Sequence, residues 1–292
     1  MRMSRITGLI AALAILASSL IGVVHADDDA PDRLDIARQK GSLEFIVYRD
    51  YPPYSYEKNG AFAGVDVDMG KALAAAVGVN ATFRTFIPGD DLDDDLRNNL
   101  WRGTIVGGSV GDVMLHVGAD PQYVARQSQV SIFGVYYREA VALSFDTKKF
   151  KSYSTIGDLK GKRVGVEIGS ISDQYLTNFE SGVLNTSVTR YTTLDACVQA
   201  YTEGKLDAVV APKGELQGLM FAHGAKANLA TPQPIQFQGI FRSAWELGIA
   251  VKKDSPKLGA ALADAMSKLI ESGELKAIYA RYGIDYVTPG LR

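Results

Sequence analysis

Few side chains in this sequence are equipped for covalent chemistry. Beyond residue 26 there are two histidines, His116 and His223, and one cysteine, Cys197, so nucleophile–base pairs and soft-metal ligand sets are scarce. No HExxH, CxxC, P-loop or GxGxxG spacing occurs. His116 follows Met114-Leu115 near the C-terminal end of an expected parallel strand, where open α/β sheets form clefts, so it reads as cleft-lining; a satisfied core histidine is the alternative. Catalysis would pair it with Asp112 or Asp120 as acid and base, but no nucleophile or cofactor motif accompanies them, and the expectation is a non-enzymatic protein without a cofactor.

Two further segments could hold ions. Gly169-Ser170-Ile171-Ser172 joins an expected strand to a helix, gathering backbone N–H groups and the hydroxyls of Ser170 and Ser172 at a positive helix end that suits a small anion. The same residues would serve as an ordinary N-cap. Asp90, Asp91, Asp93, Asp94 and Asp95 precede Leu96 and Leu100, where acids favour a helix first turn; the Gly and Glu of a calcium loop are missing, so no metal site is expected. Gly107-Gly108-Ser109-Val110-Gly111 lies between a helix and a strand, the wrong order for a phosphate cradle, and reads as a tight loop.

These groups need a scaffold, and the composition supplies one. Of the 292 residues 47% are hydrophobic and 22% charged, which is globular and excludes a disordered or collagen-like chain. A net charge of −2 gives no electrostatic case for nucleic acid or an anionic membrane. Arg2 and Arg5 precede a nearly uncharged run, Ile6 to Val24, and Val24-His25-Ala26 offers small residues for cleavage, so residues 1–26 read as a signal peptide cut near Ala26, not a membrane span. Export with one cysteine, and so no internal disulfide, points to a bacterial periplasm.

Along the remainder, strand and helix patterns alternate. Strands are expected at 42–47, 79–86, 113–115, 163–167, 186–191, 207–210 and 247–251, and an aromatic segment at 133–137 leads into the apolar 140–143; helices follow from Val67, Ser172, Leu194 and Leu258, with Asp66 as an N-cap. Tyr51-Pro-Pro-Tyr54 cannot continue a central strand and forms a loop carrying exposed aromatics.

The order of the leader, Tyr51-Pro-Pro-Tyr54, Gly64-Val-Asp-Val-Asp68 and Leu159-Lys-Gly-Lys-Arg-Val-Gly-Val-Glu-Ile-Gly-Ser170 resembles the periplasmic solute-binding proteins of the amino-acid-binding type. The resemblance implies an α/β, two-lobed periplasmic binding protein fold (type II), each lobe a mixed sheet flanked by helices, with two crossing hinge segments and a cleft. Lobe 1 would comprise 41–137 and 247–292, and lobe 2 would comprise 138–246. Amino-acid binders of that kind hold the ammonium on an acid after the strand matching Asp207-Ala-Val-Val210, where this chain has Pro212, and hold the carboxylate on a Ser/Thr-rich segment and an Arg, where it has Leu115-His-Val-Gly-Ala-Asp-Pro121. A buried ammonium without a counterion is strongly disfavoured, so the departures predict that no amino acid binds.

Asn98-Asn-Leu-Trp-Arg-Gly-Thr104, Asp112-Val-Met-Leu-His-Val117 and Val135-Tyr-Tyr-Arg138 resemble a narrower branch, the J proteins of bacterial methanol-oxidation clusters. That resemblance implies a non-catalytic periplasmic accessory protein whose partner is a pyrroloquinoline-quinone methanol dehydrogenase. Tyr51, Tyr54, Trp101, Arg102 and Trp245 are then the candidate anchors on cleft and rim, with Asp66, His116, Ser170 and Ser172 lining the cleft. The alternative is a receptor delivering a small organic anion to a permease, with the Ser170–Ser172 turn as its anion site.

Overall fold

The computed structural model describes residues 31–105, 107–150, 152–239 and 241–290. The expected leader, residues 1–26, lies outside them.

Helix α1 (Arg33–Lys40) leads into β1 (Ser42–Tyr48), a small hairpin of β2 (Tyr56–Lys58) and β3 (Ala61–Ala63), then α2 (Val65–Ala76) and β4 (Asn80–Phe86). Helix α3 (Leu92–Leu96) passes through a π turn, Arg97–Trp101, before β5 (Val113–Gly118), α4 (Pro121–Arg126) and the sixteen-residue β6 (Val130–Phe145). There follow β7 (Val164–Glu167), α5 (Ile171–Asn178), β8 (Val188–Tyr191), α6 (Leu194–Thr202), β9 (Ala208–Pro212) and α7 (Lys213–Ala222). The chain ends with β10 (Gln233–Pro234), β11 (Ala244–Lys252), α8 (Pro256–Glu271) and α9 (Glu274–Arg281).

The main sheet runs β4-β1-β5-β11-β6-β9-β7-β8. Its two ends are parallel, β4-β1-β5 and β9-β7-β8, as helical crossovers require. Its centre is antiparallel: β11 pairs with β5 and β6, and β6 with β9. Strand β6 meets β11 through Val130–Ala140 and β9 through Val141–Phe145, so one continuous strand carries the sheet from one lobe into the other. It takes in the aromatic segment 133–137 and the apolar 140–143 that follows it as one strand.

Each end of the sheet is covered on both faces. One core packs Leu43 and Phe45 of β1 against Met69 and Leu73 of α2, Leu258 and Leu262 of α8, and Ile278 of α9. The spacing of those helical residues puts each set on one stripe, and burying a Leu or Phe contributes roughly 1.5–3 kcal/mol. The opposite face holds Ile46, Leu96, Leu100 and Met114. Around β7 and β9 the cores form on Val164, Val166 and Val210, and on Cys197, Val209 and Leu216.

Two local corrections bear on the cleft. Gly64, not Asp66, is the N-cap of α2; Asp66 lies inside the first turn, fully buried, with its N–H donated to the Tyr54 carbonyl. Helix α7 follows β9 directly, although Gly214 and Gly218 lower its intrinsic propensity.

Candidate functional site

The loop after β1 presses against α7 at the level where β6 crosses between the lobes. The Tyr54 hydroxyl donates to Glu139 Oε2 at 2.9 Å, and the same carboxylate accepts the N–H of Ala140 and, at 3.2 Å, the N–H of Gly214 at the start of α7. Tyr51 donates to Glu215 Oε1 at 2.7 Å. Gln217 and Asp285 exchange two bonds, of 2.7 and 3.1 Å. A Cβ on Gly214 would stand 2.2 Å from the Tyr54 oxygen, and one on Gly218 2.5 Å from Pro53 Cγ, so glycine is what lets helix and loop approach.

Two chambers share the Tyr51 side chain. The first, about 310 Å³, lies between the loop after β1 and the ends of β7, α6 and α7. Five of its lining residues are acids: Asp50, Glu57, Glu167, Asp195 and Glu215; none is basic. Burial, with the Glu139 and Glu167 carboxylates adding to it, pushes Glu215 up to about 8 against the opposing Tyr51 hydrogen bond. Burial also raises Glu139 and Glu167.

The second chamber, about 430 Å³, is lined by Tyr48, Arg49, Tyr51, Pro88, Leu92, His116, Gly118, Trp245 and Leu247. His116 enters it from a double irregularity in the sheet. Leu115 and His116 face the single residue Ile249 across β11, and β6 slips by two residues at the same level. Such bulges re-aim side chains, and here His116 adopts φ +63. Its N–H donates to the Tyr136 hydroxyl, and its ring packs on Tyr54 with centroids 4.3 Å apart. Nδ1 lies 3.3 Å from Asp66 Oδ2, but too far off line to count as a hydrogen bond, and neither Asp66 oxygen has another donor among the described residues.

The structure therefore brings together Tyr51, Tyr54, Asp66, His116 and Trp245. It does not bring Trp101 and Arg102 there. Trp101 packs against the Leu96–Leu100 core and Arg102 is exposed at the end of the π turn. Nor do Ser170 and Ser172 line either chamber. Ser170 caps α5 through the N–H of Asp173, whose carboxylate takes the N–H of Gly169 and pairs with Arg190; the turn expected to receive an anion is thus closed by its own acid. Ser172 is fully buried. Gly107-Gly108-Ser109-Val110-Gly111 has the G-x-S-x-G spacing of a nucleophile elbow, yet it runs into β5 instead of from strand to helix, and no histidine bonds Ser109 among the described residues. Asp112 bonds the N–H of Glu44 and Arg33, and Asp120 caps α4, so neither forms a dyad with His116.

Sequence reasoning missed Glu139 and Glu215. Glu139 is a lone acid inside an apolar strand run, and Glu215 stands three residues after Pro212, where the resemblance has its acid. Glu215 restores a carboxylate near that place, which removes the premise for excluding every positively charged solute.

The profile of bacterial extracellular solute-binding proteins, family 3, matches residues 43–105. The L-cystine-binding protein TcyJ of Escherichia coli K12 is 23% identical over 280 residues, 94% of this chain and 96% of that protein. The L-arginine-binding protein of Pseudomonas aeruginosa is 27% identical over 277 residues, 94% and 95% of the two chains. Among solved structures, an ancestral cationic amino acid solute-binding protein superposes with a TM-score of 0.66 at 21% identity, covering 86% of this chain and 99% of its own. The chain has the two-lobed α/β fold of periplasmic binding proteins. These likenesses, running over nearly the whole chain, overturn the expectation of a methanol-oxidation accessory protein with a methanol dehydrogenase partner. Much of the narrower resemblance falls on packing positions: Leu100, Met114, Leu115, Tyr136 and Tyr137 are fully buried. Among the described residues no helix is long and apolar enough to cross a membrane.

Proposed function

We propose that this chain is the exported solute receptor of an ABC-type permease and that its solute is a small organic cation. One observation carries the charge: the chamber between the loop after β1 and the helices of the second lobe is lined by Asp50, Glu57, Glu167, Asp195 and Glu215 with no basic side chain. A cation there gains from the ionised carboxylates of a partly desolvated site and favours ionisation of Glu215, whereas an anion is repelled. Relatives bearing the names of arginine- and cystine-binding proteins support the receptor part of the reading.

In this reading 41–137 with 247–292 form lobe 1 and 138–246 form lobe 2, β6 and β11 are the crossings, and residues 1–26 direct export to the periplasm. Core packing of α8 and α9 on β1 and α2 supports the discontinuous first lobe. The Tyr51–Glu215 contact sits where the solute's charge would go, and binding would replace it.

A ligand that binds only the folded form raises the melting temperature. Agmatine and histamine, which keep the cationic ends of arginine and histidine without their carboxylates, should raise it, and succinate and glutamate should not. Stabilisation by the two anions alone would overturn the reading.

A further inference from the structure

We propose that the second chamber is a binding site for a ring bearing an O–H or N–H donor, a phenol-class ligand, which His116 Nε2 accepts. This goes beyond the cation reading and does not depend on it. The Asp66 side chain is 1% exposed and that of His116 8%. A carboxylate only accepts hydrogen bonds, and His116 Nδ1 stands 3.3 Å from Asp66 Oδ2; although the pair is off line for a hydrogen bond, the tautomer with its proton on Nδ1 is the one that turns a donor and not a lone pair toward the carboxylate. The other nitrogen is left with a lone pair. Nε2 makes no hydrogen bond among the described residues, and His116 lines the chamber.

The walls fit a ring. Tyr48, Tyr51 and Trp245 offer aromatic faces, and Pro88, Leu92 and Leu247 close the apolar part. About 430 Å³ lies in the range of small-molecule sites, which are mostly apolar with a few placed polar groups. No carboxylate lines this chamber, so an ammonium group has no counterion there, in contrast to the acidic chamber on the other side of Tyr51. The imidazole is also held in place, by the Tyr136 hydroxyl on its backbone N–H and by the Tyr54 ring against its face. Its φ of +63 is uncommon for a residue other than glycine, and it aims the imidazole at a space whose lining also includes Arg49.

The test is calorimetric titration of the folded protein with phenol, toluene and benzoate. Phenol should bind one to one, with toluene and benzoate at least tenfold weaker. His116→Phe keeps a ring but loses the acceptor and should weaken phenol at least tenfold. Because that variant can fail to fold, ¹⁵N spectra of the wild-type imidazole provide a second reading: phenol should move the Nε2 resonance and leave Nδ1 nearly unchanged. Equal affinity for toluene and phenol, tighter benzoate than phenol, no binding of phenol, or an unmoved Nε2 resonance at saturation would each overturn the proposal. Agmatine is titrated separately into the wild type, so phenol binding without agmatine binding sinks the cation receptor alone, and the converse sinks this site alone.

Discussion

Glu215 is the side chain on which most of the account turns. It is buried, bonded to Tyr51, and pushed up to about 8 by burial. Between its ordinary value near 4.5 and about 8, the folded chain keeps a proton that the unfolded chain has lost. Stability therefore falls as pH rises through that window, by on the order of a few kcal/mol from this group. Glu139, raised in the same direction by its burial, adds to the slope. Thermal melts from pH 5 to pH 8.5 should show a falling melting temperature, and Glu215→Gln should remove much of the fall and stabilise the protein at pH 8.5. A wild-type melting temperature that rises over the range would contradict the buried, protonated state. Neither acid announces itself in the sequence. Glu139 matters because β6 crosses the lobes at that point, and His116 faces a chamber because of a bulge that depends on the register of three strands.

At the scale of elements, alternating strands and helices were legible because hydrophobic spacing is local. Thus β1, β4, β7, α6 and α8 fall within a residue or two of where the pattern puts them. Helix α7 was not legible, because its two glycines serve an interface rather than a helix. Gly218→Ala tests that by its sign. In a solvated helix the change would stabilise by about 1 kcal/mol through propensity. Against Pro53, with Cβ distances of 2.5 and 2.7 Å, it should instead destabilise by roughly 1–3 kcal/mol as overpacking does, measured by denaturant unfolding. A more stable Gly218→Ala protein would mean that α7 is not docked on the loop after β1.

At the scale of the molecule, the proposed receptor would have its cleft divided by its own side chains. Tyr51 lines both chambers, and its bond to Glu215 joins the loop after β1 to α7, which the proposed division puts in different lobes. Hinge closure around a ligand needs crossing segments, and in the proposed division the paired strands β6 and β11 would be the two. A cation entering beside Glu215 favours its ionised form, so binding near neutral pH should release a proton. The most direct measurement is calorimetric titration of the wild-type protein with agmatine at pH 7, in two buffers of different ionisation enthalpy, with succinate as the comparison. The account predicts saturable one-to-one binding of agmatine, a heat that changes between buffers because a proton is released, and no heat from succinate. Saturable binding of succinate with none of agmatine would contradict it.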